Sequence, residues 1–266
     1  MNCEKCIESK ALAVDISMAF QPIVDLHTFS VYGYEALVRT ASGGGAAEVF
    51  NAVPKEDIYS LDQACRVKAI ELAASLGIDT YLSINFMPNA VYEPSRCIAA
   101  TLRTAKKVKF PIDKIIFEFT ETESVYDTNH VISIINDYQS RGFQTAIDDF
   151  GAGYSGIKLL CDVHTDIVKI DRSLIINIDS DPRRQRIVKD VKRLLDDNSN
   201  KIIVEGVESI EEIKMLYAMG FRYFQGFYFA KPGFEHLPEV DFDTVKTVLT
   251  SSPVSQIDIR QETSAR

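Results

Sequence analysis

Short apolar runs alternate with longer amphipathic stretches along most of the 266-residue chain. The runs at 19–25, 31–39, 81–86, 115–120, 144–149, 167–171, 201–205 and 222–226 have the length and composition of strands. Between most of them lie segments of helical period, such as "LDQACRVKAIELAASLG", "VISIINDYQSRG", "RRQRIVKDVKRLLDD" and "IEEIKMLYAMG", several of which close on glycine as helices do. The rhythm is that of βα units. Only "DLHTFS", between the first two runs, is too short to hold a crossover helix, so those two strands are expected to pair antiparallel. About eight strands in a chain of this length predict an α/β fold, a modified TIM-like (β/α)8 barrel with an antiparallel first strand. A doubly wound open sheet is the structural alternative. The predicted organisation is an N-terminal segment at 1–17, a barrel domain at 18–250 and a polar tail at 251–266.

Period-two alternation sorts each run into two faces. In "IIFEFTE", Ile115, Phe117 and Phe119 point one way, and Ile116, Glu118 and Thr120 the other. "YLSINF" separates Leu82 and Ile84 from Ser83 and Asn85, and "KIIVEG" separates Ile202 and Val204 from Ile203 and Glu205. Strand after strand places a polar residue last. In a barrel these ends converge on one mouth, so Glu35, Asn85, Glu118, Asp148, Asp149, Lys169, Glu205 and Gln225 are expected to meet there. Five carboxylates in one cleft repel one another unless cations or raised pKa values neutralise them. Carboxylate and amide oxygens are hard ligands, and with no histidine or cysteine at the strand ends they favour Mg²⁺ or Mn²⁺ over zinc. Asp148, on the inner face, would bridge two ions, and Asp149, just beyond the strand end, would ligate the second. The plainer alternative, that each acid caps a helix or pairs with a surface lysine, is weakened by the repetition at strand ends.

Composition narrows the setting. The formal net charge is −9, which disfavours a non-specific grip on polymeric nucleic acid. No run approaches 18 apolar residues and the first ten residues lack a signal-like pattern, so the expectation is a cytoplasmic protein with no membrane span. Five cysteines, an odd number, fit a reducing compartment, with Cys65, Cys97 and Cys161 expected in the core. Cys3 and Cys6 have metal-ligand spacing but no second pair to complete a site.

The motifs "FQPIVD" (20–25), "YEALVR" (34–39), "FEFTE" (117–121), "IDDFGAGYSG" (147–156), "VKID" (168–171), "VEGVE" (204–208) and "QGFYFAKP" (225–232), taken in order, resemble the EAL-domain cyclic di-GMP phosphodiesterases. "SINFMPNAVYEP" is most similar to the branch coupled to blue-light sensors, and no sensor module is expected within the short N-terminal segment. The resemblance implies hydrolysis of cyclic di-GMP to linear pGpG by two-metal activation of water. It assigns Glu35, Asn85, Glu118 and Asp148 to one ion, and Asp148, Asp149 and Glu205 to the other. It gives Lys169 and Glu205 the catalytic water, without deciding which is the base, and Gln21, Arg39 and Gln225 the substrate. Arg39, four residues after Glu35 on the same strand, would grip a phosphate. Glu121 would brace the loop after its strand. Further implications are a homodimer through the helix holding Ile157, Leu159 and Leu160, and inhibition by Ca²⁺. An ordinary barrel helix with its apolar face inward is the alternative for that contact. The family's usual "DDFGTGYSS" reads "DDFGAGYSG" here, losing two hydroxyls at Ala152 and Gly156, and less sequence than usual follows "GGGAAEVF". A catalytically silent module that binds cyclic di-GMP or a protein partner is the competing reading. "DFG" at 149–151 also spells a kinase motif, but nothing else of a kinase accompanies it.

Overall fold

The computed structural model describes residues 14–91, 93–120, 128–153 and 156–250. Cys3, Cys6, Glu121 and the 251–266 tail lie outside the described residues. The strands are β1 (Ile16–Asp25), β2 (Ser30–Thr40), β3 (Tyr81–Asn85), β4 (Ile115–Thr120), β5 (Gln144–Phe150), β6 (Ile167–Ile170), β7 (Lys201–Val204), β8 (Tyr223–Phe224) and β9 (Gly233–Phe234). The helices are α1 (Ala46–Ala52), α2 (Ile58–Ser75), α3 (Pro94–Cys97), α4 (Ala99–Val108), α5 (Thr128–Ser140), α6 (Gly156–Asp162), α7 (Arg172–Ile175), α8 (Pro182–Asp197), α9 (Ile210–Ala218) and α10 (Phe242–Thr250).

Seven parallel strands run in the order β2 to β8, and β1 closes the ring by pairing antiparallel with both β2 and β8. The fold is therefore the closed barrel, not the open sheet. The β1–β2 hairpin is long, with pairing from Ile16↔Thr40 to Asp25↔Ser30. β8 holds β1 at only two positions, Val24 and Asp25, and β9 takes over the same edge at Ala19 and Phe20. Sequence patterning missed β9, because two residues, one of them glycine, carry no alternation. Three of the helical segments end as their glycines suggest, with Gly77, Gly142 and Gly220 at positive φ. Among the described residues no helix is long and apolar enough to cross a membrane.

The barrel interior is layered. Its floor is a small apolar cluster of Ile23, Ile116, Ala146, Ile167 and Ile203, closed below by Tyr32, Tyr81 and Tyr223. Because side chains repeat every second residue, the next inward position toward the mouth is Gln21, Glu118, Asp148, Lys169 and Glu205 respectively. One residue step of two thus separates oil from charge. The outward faces pack under the helices; Phe117 lies 4.9 Å from the Tyr138 ring and 5.1 Å from that of Phe143. Among the cysteines, Cys97 is buried and Cys65 half-buried, but Cys161 is exposed. It sits near the end of the short α6, whose outer side it shares with Lys158, so the expected core position is corrected.

Asp25 ties the weak β1–β8 seam. Its carboxylate accepts from Arg222 Nε at 2.9 Å and Nη2 at 2.6 Å, and from the His27 amide at 2.9 Å. Burial raises its pKa, but the Arg222 hydrogen bonds and the turn amides more than offset this, holding it below the ordinary carboxylate range. A lowered folded pKa stabilises the fold above the unfolded value of about 3.9 and loses that contribution as pH falls further. Arg222 is partly exposed, so solvent screening limits the effect. Asp25→Asn is expected to cost about 1 kcal/mol in urea unfolding at pH 7. The gap to wild type should close as the pH is brought toward 3; a gap independent of pH would show that the charge of Asp25 does not matter.

Candidate metal centre and active site

The two adjacent aspartates reach the mouth through a β-bulge. Along the β5–β6 ladder Ile147 pairs with Val168 and Phe150 with Ile170, so Asp148 and Asp149 together oppose the single residue Lys169. Asp149 takes φ +55°, a left-handed conformation that aspartate tolerates better than most residues. The strand runs on to Phe150, so Asp149 lies inside β5 and not beyond its end, which corrects the expected position. A regular strand would have turned one of the pair outward under the helices. The bulge keeps both at the mouth.

Lys169, fully buried, is the hub. Its Nζ lies 2.7 Å from Glu205 Oε1, 2.8 Å from Glu118 Oε2, 2.9 Å from Asp148 Oδ1 and 3.4 Å from Glu35 Oε2. Burial alone would lower its pKa, but Asp148, Glu118, Glu205 and Glu35 outweigh that and drive it well above the ordinary lysine range. The acids feel the opposite strain. Burial, with Glu35 and Asp148 nearby, pushes Glu118 up to about 8 despite Lys169. Burial, then Asp148 and Asp171, pushes Asp149 up to about 6. Burial and then Asp148 raise Glu205 well above its usual value.

Neutral donors complete the lining. Asn85 Nδ2 donates to Glu35 Oε1 at 2.9 Å, and Gln225 Nε2 donates to Glu35 Oε2 at 2.7 Å and to Gln21 Oε1 at 3.2 Å. Gln21 Nε2 in turn donates to the Ala230 carbonyl at 3.2 Å. Ser83, deeply buried, donates to Glu118 Oε1. A cavity of about 320 Å³ opens on Gln21, Glu35, Asp148, Asp149, Glu205 and Gln225, and Asp171, Arg172, Glu208 and Phe227 stand around it. A larger cavity of about 410 Å³ lies behind β2 among Met18, Phe50, Leu61 and Ala69, and its lining is mostly apolar.

The residues fit divalent cations. Single oxygens of Glu35, Glu118 and Asp148 lie within 4.8 Å of one another, as do those of Asp148, Asp149 and Glu205. Asp148 belongs to both groups, and Gln225 Oε1 beside them is buried with no hydrogen bond. Five carboxylates against one ammonium leave four formal negative charges, matching two divalent ions. All the donors are hard oxygens.

Of the sequence-derived site residues, Gln21, Glu35, Asn85, Glu118, Asp148, Asp149, Lys169, Glu205 and Gln225 come together here. Arg39 does not line the cavity among the described residues; its guanidinium donates to the Val38 carbonyl at 2.8 Å. Sequence reasoning missed Ser83, although it lies two residues before Asn85 on the same face. It also missed Arg172, the first residue of the short helix α7, and Phe227, on the turn after β8, where strand alternation carries no signal.

Fold and site together define a (β/α) barrel protein with a strongly acidic, all-oxygen mouth around one lysine. The EAL domain family model matches residues 8–232, and the chain belongs to that family. A standalone versatile EAL protein from Vibrio cholerae O395, solved with c-di-GMP bound, is 53% identical with a TM-score of 0.85; the match covers 88% of this chain and 99% of that one. The Klebsiella pneumoniae protein BlrP1, solved with manganese and cyclic di-GMP, is 33% identical with a TM-score of 0.81, over 85% of this chain and 58% of that one. Among curated relatives from Escherichia coli K12, the blue light- and temperature-regulated antirepressor BluF is 29% identical over 89% of this chain. The probable cyclic di-GMP phosphodiesterase PdeG is 28% identical over 90%. The chain spans only 60% and 47% of these two relatives' lengths.

Replacing Lys169 with methionine removes the one buried cation from among four acids. Breaking such a buried set is expected to cost roughly 3–5 kcal/mol in metal-free protein. Mg²⁺ or Mn²⁺ should raise the Tm of the wild type and recover part of the variant's loss, since ions bound only to the folded state stabilise it. Calorimetry showing no shift with either ion would contradict the cation assignment.

Proposed function

We propose that the protein is a metal-dependent phosphodiesterase that hydrolyses cyclic di-GMP to linear pGpG. The observation that carries this reading is the pair of oxygen clusters sharing Asp148 within hydrogen-bonding reach of Lys169. The relatives add support, since the Vibrio cholerae and Klebsiella pneumoniae structures hold cyclic di-GMP. Glu35, Asn85, Glu118 and Asp148 would hold one Mg²⁺ or Mn²⁺, and Asp148, Asp149 and Glu205 the other. When bound, two such ions acidify water and offset charge on the phosphoryl oxygens of an in-line displacement.

The chain's own groups then have distinct tasks. Lys169 and Glu205, 2.7 Å apart, would orient the attacking water, Lys169 by donating from its ammonium and Glu205 by accepting the water's proton. Ser83 and Asn85 hold Glu118 and Glu35 in place by donating to them. Gln21 and Gln225 present amides at the cavity wall that hydrogen-bond the dinucleotide, and Arg39 grips a phosphate by leaving the Val38 carbonyl. Ile157 on α6 is 66% exposed, with Leu159 and Leu160 half-buried behind it, which favours a homodimer contact over an inward-facing helix.

The test is incubation of the purified protein with cyclic di-GMP, with and without Mg²⁺ or Mn²⁺, and chromatography of the products. Cleavage to pGpG only with metal is expected; nucleotide bound but never cut would favour the silent module. Glu35→Ala, Asn85→Ala and Asp148→Ala should each remove most turnover while the circular dichroism spectrum is retained, and near-normal rates in all three would refute the two-metal account.

Calcium gives a separate test by ion size. It accepts the same oxygens, but at about 2.3–2.6 Å against about 2.0–2.1 Å for Mg²⁺ and with looser geometry. Ca²⁺ is therefore expected to inhibit in competition with Mg²⁺, with rate restored by excess Mg²⁺. Full turnover with Ca²⁺ alone would contradict the mechanism.

A further inference from the structure

Glu205 is held differently from the other acids of the mouth. Glu35, Glu118, Asp148 and Asp149 stand within β2, β4 and β5, whereas β7 ends at Val204 and leaves Glu205 on the loop that follows. Its amide donates to the Ile170 carbonyl at 2.9 Å, which fixes the peptide before it. The peptide after it has no ladder to join. There Gly206 turns the chain at φ +68°, a left-handed conformation that suits glycine.

Arg172 fastens that turn. From the first position of α7 its Nη1 donates to the Gly206 carbonyl, and an added Cβ on Gly206 would lie 2.7 Å from the Arg172 Cβ, so the arginine stem rests directly on the glycine. The guanidinium is itself held from two sides. Nη2 donates to Glu208 Oε2 at 2.9 Å, and Nη1 lies 3.5 Å from Glu212 Oε2. Glu212 is buried and anchored in turn, accepting from the Glu208 amide at 3.0 Å and from the Ser209 and Asn177 amides at 3.3 Å. Neither Glu208 nor Glu212 belongs to the two oxygen clusters of the mouth. A planar fork of donors reaches one carbonyl and two carboxylates together; an ammonium on a flexible stem would not hold all three.

We propose that Arg172 is a positioning residue that sets Glu205 for the second ion, with Glu208 and Glu212 holding the guanidinium in place. This rests on the two-metal reading above. Glu205 groups with Asp148 and Asp149, and not with Glu35 and Glu118, so the effect of Arg172 is confined to one of the two ions. A group that orients a ligand without touching the metal changes metal affinity by roughly tenfold to a hundredfold when it is removed.

The experiment titrates Mn²⁺ into wild type, Arg172→Ala, Arg172→Lys and Glu208→Gln with no nucleotide present, reading bound ions by calorimetry and free Mn²⁺ by its electron paramagnetic resonance signal. The wild type is expected to bind two ions. Arg172→Ala should weaken one of them roughly tenfold to a hundredfold and leave the other at its wild-type affinity. Arg172→Lys and Glu208→Gln each keep part of the network and should weaken the same site by less, so they carry the test if the alanine variant fails to fold. Hydrolysis of cyclic di-GMP by the variants should fall at low Mn²⁺ and recover as Mn²⁺ is raised. Equal weakening of both sites with a lowered Tm would show a merely structural role and overturn the assignment, as would two unchanged affinities. Loss at one site only, in a protein whose wild type binds two ions but never cuts, would support the positioning role while refuting the phosphodiesterase reading. A wild type that binds fewer than two ions would overturn both.

Discussion

Two aspartates opposite one lysine form the constraint on which the mouth of this barrel depends. The extra residue in β5 faces Lys169 with both Asp148 and Asp149, and the four acids nearest the Lys169 ammonium come from β2, β4, β5 and the end of β7. A buried lysine with one acid would be an ordinary ion pair. With four, the ammonium compensates only a quarter of the formal charge around it, and the remainder is a standing demand for cations. Glu118 and Asp149, pushed up to about 8 and about 6, express that demand.

The apolar floor makes the arrangement tolerable. Ile116, Ala146, Ile167 and Ile203 sit two residues below Glu118, Asp148, Lys169 and Glu205, fully buried, so water reaches the charges only from the mouth. The low dielectric beneath strengthens every interaction of the acids with a bound cation, and equally the repulsion between them when none is there. Stability and function are set against each other within one turn of the pleat. The rest of the barrel, including the aromatic packing of Phe117, Tyr138 and Phe143 outside β4, supplies the rigidity that keeps the acids from moving apart.

Much of this was legible in the sequence because barrel strands obey a strict period of two. Once Ile116 was assigned inward, Glu118 had to follow, and the same step located Asn85, Lys169 and Glu205. What escaped notice lies where the period fails. An inserted residue in β5 reads as one more strand position, so Asp149 was expected beyond the strand end when it sits at a bulge within it. β9 spans only Gly233 and Phe234, too short to alternate. Cys161, expected in the core, stands on the short helix α6 with that side in solvent. Arg39 matched the face of Glu35 but ends on the neighbouring Val38 carbonyl, a choice made by side-chain torsions that strand periodicity does not specify.

The departures at Ala152 and Gly156 leave the bulge itself untouched, for a reason visible in the backbone. The turn after β5 is held by the Ala152 amide donating to the Asp149 carbonyl at 3.0 Å and the Asp171 amide donating to the Phe150 carbonyl at 3.1 Å. Neither bond involves a side chain, so a hydroxyl at position 152 is not what keeps Asp149 in its left-handed conformation. Gly151 is the residue the turn requires. It has φ +97°, and an added Cβ would lie 2.3 Å from Leu174 Cδ1, so a side chain there would be both strained and obstructed. Ala152, by contrast, is exposed. A hydroxyl at position 152 would therefore bear on the solvent side of the turn, whereas Gly156 is buried at the start of α6, and the placement of the two aspartates rests on backbone bonds and on Gly151.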